Sequence, residues 1–261
     1  MKKLKVNAII HTQYQNLKKE LTEIIEAYDE IDTYIAKGTR NSIKLVELST
    51  GQKVAIKSFK KPNLINRYVY RNIRKSKGLR SFENAERLNN LGINAPHSIA
   101  YFEYVSKGAL RNSYYISESI DTDITYRDLA QNQDCPNRER VLEEFVEFSF
   151  KLHENGINFL DHSPGNTLIK VREDGSHEFY LVDINRMKFD QEMSFSHRMK
   201  NLSHLTTNIQ DIEKMATHYA ELIGKSSRDV FIKLWLETIK FQYRFYKKKS
   251  IKNKVKKMYY Q

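Results

Sequence analysis

The chain has 261 residues with 44 Lys+Arg against 32 Asp+Glu, a formal charge of +12, and that length is enough for one large or two small domains with a sizeable core. Hydrophobic residues at 40% and charged ones at 29% exclude a disordered or collagen-like chain. The nine glycines include no two placed one residue apart, so neither a G-x-G-x-x-G fingerprint nor a G-x-x-x-x-G-K-[ST] loop is present.

The N-terminal Met1-Lys2-Lys3-Leu4-Lys5 is basic, but His11, Gln13 and Gln15 follow where a signal peptide would have its apolar run, and nowhere do eighteen apolar residues stand together. A cytosolic chain that does not span a membrane is expected. The single cysteine, Cys135, cannot close an intrachain disulfide, which fits a reducing compartment. Residues 43–48 and 54–59 are short apolar, β-branched runs joined by Ser49-Thr50-Gly51-Gln52, which predicts a hairpin. Strand period two puts Ala55, Lys57 and Phe59 on one face and Val54, Ile56 and Ser58 on the other. A lysine among apolar neighbours either snorkels to the surface or is held inward by an anion.

No acid stands between Glu47 and Glu83, an interval with ten basic residues; a second acid-free block, from Lys240 to the end, holds nine. Two such segments suit an anionic partner, a phosphorylated sugar, an anionic lipid surface or a nucleic acid. Phe82, Ala85 and Leu88 keep helical spacing, and Gly92 and Pro96 follow them, so residues 81–91 are predicted as a helix. Strands are expected at 99–102 and 114–116. Helices are expected from an N-cap at Asn137 to Gly156, from Asn208 to Ile223, and from Ser226 to about Tyr246.

Phe159-Leu160-Asp161-His162-Ser163-Pro164-Gly165-Asn166 is followed by an apolar run, a Glu173-Asp174-Gly175 turn and a second run ending at Asp183, again a hairpin pattern. In an antiparallel pair the start of one strand lies beside the end of the other, so Asn166 and Asp183 are expected together, with Asp161 on the loop before them. Two carboxylates and a carboxamide oxygen make the hard-oxygen setting that Mg²⁺ prefers when phosphates supply its other ligands. Phosphoryl transfer, in which positioning and charge neutralisation do most of the work, suits that set.

Val54-Ala55-Ile56-Lys57, then Asp161-x-x-x-x-Asn166, then Asp183 stand in the order of the kinase signatures. Together with Leu91-Gly92-Ile93-Asn94-Ala95-Pro96 and Leu181-Val182-Asp183-Ile184-Asn185-Arg186 they resemble the lipopolysaccharide core kinases (the Kdo/WaaP, InaA-like family) of the protein-kinase-like superfamily, over about residues 30–225. The resemblance implies an α+β fold of two lobes: a β-rich N-lobe over 1–118, a helical C-lobe over 119–246 and a basic tail over 247–261. It implies ATP and Mg²⁺ as cofactors, and transfer of the γ-phosphoryl group to a hydroxyl of an inner-core sugar, Kdo or heptose. By the same resemblance Lys57 contacts the α- and β-phosphates and Glu83, with Glu86 as the alternative one turn on, fixes it. Asp161 accepts the proton of the attacking hydroxyl, Asn166 and Asp183 hold the metal, Ala55 floors the adenine pocket, and the chain near Glu118 is the hinge.

The pattern departs from that of eukaryotic protein kinases. Phe159-Leu160 replaces His-Arg, Asp183-Ile184-Asn185 replaces Asp-Phe-Gly, and no Ala-Pro-Glu follows, so a glycan or small-molecule acceptor is favoured over a protein. The nucleotide loop has one glycine, Gly38, beside Arg40, Asn41 and Ser42; these are either phosphate donors or a polar turn. The rival readings are a kinase-fold adaptor without catalysis, a kinase of another small molecule, and a nucleic-acid binder using the basic blocks with Tyr68, Tyr70 and Tyr101. Nucleic acid is the disfavoured partner. Peripheral contact with the inner membrane's anionic face, through the basic segments, is expected.

Overall fold

The computed structural model describes residues 5–37, 41–59, 75–106 and 109–259. The chain forms two compact units, Met1–Asp121 with Tyr180–Arg186, and Thr122–Phe179 with Met187–Gln261. Arg40 and the 60–74 part of the first basic segment, with Tyr68 and Tyr70, lie outside the described residues.

The first unit is built on an antiparallel six-stranded sheet. Its strands are β1 (Lys5–Ile10), β2 (Tyr34–Lys37), β3 (Asn41–Glu47), β4 (Lys53–Phe59), β5 (Ser98–Ser106) and β6 (Ala109–Glu118), in the order β1-β5-β6-β4-β3-β2. The expected β3–β4 hairpin forms, and Gly51 takes the left-handed φ of +81° its turn requires. β5 and β6 run several residues beyond the short apolar stretches at 99–102 and 114–116, because their outer parts alternate polar residues with Val105 and Leu110 and so carry a weaker apolar signal.

Period two decides what each face meets. Val54 and Ile56, with their neighbour Ile116, are buried in one cluster with Leu21 and Ile25 of α1 (Lys18–Glu26). Full burial of each such side chain contributes about 1.5–3 kcal/mol. Neither β1 nor α1 is marked in the sequence by a glycine or proline. Lys57 pairs across the ladder with Tyr115, and Tyr115 with Tyr101, so these three share the opposite face. That face is covered by α2 (Lys77–Asn90), whose Phe82 ring stands 5.9 Å from the Tyr101 ring.

α2 begins four residues before its predicted start. Ser76 caps it by accepting from the Leu79 N–H at 3.1 Å. Gly78 sits in its first turn because a Cβ there would stand 3.2 Å from the Tyr114 carbonyl oxygen. The close approach of helix to sheet, not backbone freedom, uses that glycine.

The second unit is mainly helical: α3 (Tyr126–Gln131), α4 (Arg138–Glu154), α5 (Phe195–Leu202), α6 (Ile209–Ile223) and α7 (Ser227–Tyr259). A small sheet joins β7 (Ile124–Thr125), β9 (Thr167–Val171) and β10 (His177–Leu181) in the order β10-β9-β7, and β8 (Asn158–Phe159) pairs with β11 (Met187–Lys188). Phe145, Val146, Ile169, Leu202, Met215 and Tyr219 belong to its core. A buried ion pair, Arg138 Nη2 to Asp211 Oδ2 at 2.7 Å, ties α4 to α6.

Asn137 precedes α4 as expected, yet its side chain makes no cap; it enters the helix with φ +53° instead, a conformation asparagine tolerates. α7 runs to Tyr259, well past its predicted end near Tyr246, since no Gly or Pro follows Gly224 to stop it. Among the described residues no helix is long and apolar enough to cross a membrane.

Candidate active site

Ala55, Lys57, Glu83, Glu118 and Asp183 belong to the first unit, Asp161 and Asn166 to the second. In the first unit Lys57 Nζ donates to Asp183 Oδ1 at 2.6 Å, with the lysine side chain 13% exposed and the carboxylate 32%. The lysine is thus held inward by an anion and does not snorkel. Asp183 has φ +55°, a region an L-residue rarely adopts and Asp tolerates better than most. This ends the extended run at Leu181, two residues before the predicted strand end, and turns the Asp183 side chain out of strand alternation.

Three side chains hold that bend. Asn185, buried, donates through Nδ2 to Asp183 Oδ1 at 2.7 Å. From α2, Arg80 Nη1 donates to the Asn185 carbonyl at 2.6 Å and Asn84 Nδ2 to the Ile184 carbonyl at 2.7 Å. The helix over the lysine face therefore also fixes the backbone around Asp183.

The helix carboxylate implied for Lys57 is not brought to it in this structure. Glu83 pairs with Lys75 at 2.6 Å and is 41% exposed, and Glu86 lies 3.4 Å from His11 Nε2. At 100° per residue Glu83 lies roughly opposite the stripe of Phe82, Ala85 and Leu88 that meets the sheet, while Arg80 and Asn84 lie on the flank that reaches the Asp183 loop. Ala55 shares the Lys57 face and pairs with Ser117. Glu118 ends β6, donates its N–H to the His97 carbonyl at 3.0 Å and accepts from Gln52 Nε2 at 3.3 Å.

In the second unit the 3₁₀ turn Pro164–Asn166 follows Asp161. Asn166 Nδ2 donates to the Asp161 carbonyl at 2.8 Å, which leaves its Oδ1 without a hydrogen bond from the described residues. Behind this loop is a buried polar network. Asn201 Nδ2 donates to the Phe159 carbonyl at 2.8 Å, so its Oδ1 faces two imidazoles and accepts from both: His162 Nδ1 at 2.8 Å and His153 Nε2 at 3.1 Å. His153 Nδ1, left without a proton, accepts from the Tyr219 hydroxyl at 2.7 Å. His162 stacks on Phe159 with ring centroids 5.6 Å apart. Burial pushes His153 down to about 3 and His162 to about 4, so both are neutral at pH 7. His204 is also lowered, by burial first and then by Lys200, against the opposing charge of Asp161.

Sequence reading missed Arg80, Asn84, Asn185, Asn201 and His204. Only Arg80 and Asn84 left a signal, a polar pair at i and i+4 on one flank of a helix.

The sequence profile of the lipopolysaccharide kinase (Kdo/WaaP) family matches residues 50–225, a stretch that includes every candidate residue except Arg40. The chain belongs to this family. It is a kinase of the lipopolysaccharide type. Among solved structures it is similar to WaaP in complex with acyl carrier protein, with 15% identity, TM-score 0.60, and coverage of 93% of this chain and 98% of that one. The Rio2 kinase–ADP/Mg²⁺-phosphoaspartate complex from Chaetomium thermophilum matches at 14% identity and TM-score 0.46, over 85% of this chain and 67% of that one. No curated protein sequence matches the chain. The α+β fold is protein-kinase-like, with an antiparallel sheet in the first unit and helices in the second.

Proposed function

We propose that this kinase transfers the γ-phosphoryl group of ATP to a hydroxyl of a lipopolysaccharide inner-core sugar, Kdo or heptose. The observation that carries the reading is the Lys57–Asp183 pair at 2.6 Å on the face of the sheet covered by α2, an ammonium and a carboxylate held ready for a phosphate and its counter-ion. Lys57 binds the α- and β-phosphates, Ala55 contacts the adenine and the chain at Glu118 is the hinge. Asp161 accepts the proton of the acceptor hydroxyl.

Asp183 and Asn166 are the residues that would hold Mg²⁺. Both fit it: one offers a carboxylate fixed by Asn185 and the other a carboxamide oxygen with no hydrogen-bond donor among the described residues, the hard-oxygen donors this ion takes alongside phosphate. When bound, Mg²⁺ neutralises charge on the β- and γ-phosphates.

The test is transfer from labelled ATP to lipopolysaccharide core fragments. Asp161→Asn is expected to lose about 10²–10⁴ in rate, the range for removing a general base. Its melting temperature is still expected to rise with Mg-ATP, since nucleotide binding stabilises the folded state. A wild-type protein that binds Mg-ATP yet phosphorylates no core fragment sinks the acceptor assignment.

A second expectation concerns the membrane. Ile232, Leu236, Ile239, Tyr243 and Tyr246 recur every three or four residues and are all exposed; they line the side of α7 opposite Val230 and Leu234, which join the core. Arg244, Lys247, Lys248 and Lys249 on the same stretch of the helix are exposed, Lys247 and Lys249 at the two edges of that line. An apolar line flanked by cations suits the anionic face of a bilayer. Two copies of so basic a segment would repel. Each lysine near such a surface contributes about 1 kcal/mol, so the triple change of Lys247, Lys248 and Lys249 to Gln is expected to lower partition into phosphatidylglycerol vesicles about a hundredfold. Sedimentation with vesicles measures it, and unchanged partition refutes the placement.

A further inference from the structure

We infer that Arg127 is a receptor for an anionic group of the acceptor, a carboxylate or phosphate carried by the sugar whose hydroxyl Asp161 deprotonates. The inference rests on the proposed role of Asp161 and deepens it by naming what the acceptor must carry.

The observation is a close approach inside the second unit. A Cβ built on Gly165 would stand 2.3 Å from Arg127 Nη2, 2.9 Å from Cζ and 3.3 Å from Nε. The guanidinium therefore lies directly on the Gly165 backbone, four residues after Asp161 and one before Asn166. A Cβ at this position would push the guanidinium aside.

The base that carries Arg127 is rigid. Its neighbours on α3, Tyr126 and Leu129, are buried, and the Tyr126 ring lies 4.0 Å from that of Phe145. The adjacent acid, Asp128, feels the Arg127 charge but makes its hydrogen bonds elsewhere: Oδ2 accepts from the Thr125 N–H at 2.8 Å and its hydroxyl at 2.7 Å, closing a capping box. Arg127 itself is exposed and makes no hydrogen bond or ion pair with the described residues. Five N–H donors thus lie against the loop that carries Asp161, with no hydrogen-bonded acceptor among the described residues.

A guanidinium matches the two oxygens of a carboxylate or phosphate in a bidentate fork, whereas a neutral sugar needs no such group. Arg127 shares its unit with Asp161, the residue proposed to meet the acceptor, whereas Lys57, proposed for the nucleotide phosphates, belongs to the other unit. The ligand is therefore assigned to the acceptor rather than to ATP.

Titration calorimetry without ATP, using a deacylated lipopolysaccharide core oligosaccharide, tests this on the full chain. Arg127→Gln is expected to weaken binding about ten- to a hundredfold, the scale of a charge-assisted pair, and Arg127→Lys by less. Gly165→Ala, whose Cβ enters the space of the guanidinium, is expected to weaken it in the same direction. In turnover the KM for the oligosaccharide rises by the same factor while the KM for ATP does not move. Reducing the carboxylates to alcohols in one sample, and removing the phosphates in another, identifies the group: on the sample that has lost it, wild type and Arg127→Gln bind alike.

Equal affinity of wild type and Arg127→Gln for the intact oligosaccharide overturns the inference. So do a rise in the KM for ATP, a deficit that persists on both treated samples, a fall in melting temperature in place of affinity, or a wild type that does not bind the oligosaccharide. A wild type that binds with the expected Arg127 dependence but transfers no phosphate overturns the proposed function alone.

Discussion

Asp183→Asn is expected to lower phosphoryl transfer about 10³-fold, and Asn185→Ala about ten- to a hundredfold, the first by removing the carboxylate that would hold Mg²⁺ and the second by loosening it. Asn is the appropriate replacement because it tolerates the φ of +55° found at position 183, so loss of rate is not confounded by loss of fold. Asn185 touches no expected ligand. It donates at 2.7 Å to the same Oδ1 that accepts from Lys57 at 2.6 Å, and its own backbone is held from α2 by Arg80. Removing it frees Asp183 to rotate while the carboxylate stays. The two variants therefore part on raising Mg²⁺: Asn185→Ala recovers most of its rate, because the defect is one of metal affinity, and Asp183→Asn does not. A rate for Asn185→Ala that is low at every Mg²⁺ concentration, with melting unchanged, would assign Asn185 a direct part in the reaction.

What the sequence revealed and what it hid follow from how local each signal is. Hairpin turns and helical stripes are written within ten residues, so β3–β4, α2, α4 and α6 were legible, as was the order Lys57, Asp161, Asn166, Asp183. The partner of Lys57 was not. Whether it meets Glu83 or Asp183 depends on which flank of α2 faces the loop after β10, a fact set by the burial of Phe82, Ala85 and Leu88 and not by any spacing near the lysine. The network of His153, His162, Asn201 and Tyr219 spans 66 residues from first to last and leaves no local trace at all. Arg127 was hidden for the same reason: only the fold brings α3 onto Gly165.

That network leads to the largest expected effect on stability. With folded values near 3 and 4, His153 and His162 stay neutral down to pH 5, whereas in the unfolded chain both take up protons below about pH 6.5. The unfolded state then binds more protons, so stability is full above pH 6.5 and falls as the pH drops towards 4, by about 1.4 kcal/mol per pH unit for each histidine. Two together lose about 3 kcal/mol per unit, a steep fall against the roughly 5–15 kcal/mol that holds a domain folded. Asp128 and Glu144 are held below the usual carboxylate range and add to the loss only at lower pH, so the interval from 6.5 to 5 isolates the imidazoles. Urea unfolding of the second unit is expected to approach a slope of at least two protons at the lower end of that interval, His204 adding to His153 and His162, and His162→Gln a slope smaller by one. His162 follows Asp161 directly, so transfer activity is expected to fall with near-ultraviolet circular dichroism over the same interval and to return with it on neutralisation. Stability that stays flat between pH 6.5 and 5 would mean that both imidazoles are already charged in the folded protein, and the tautomers assigned through Asn201 would be wrong.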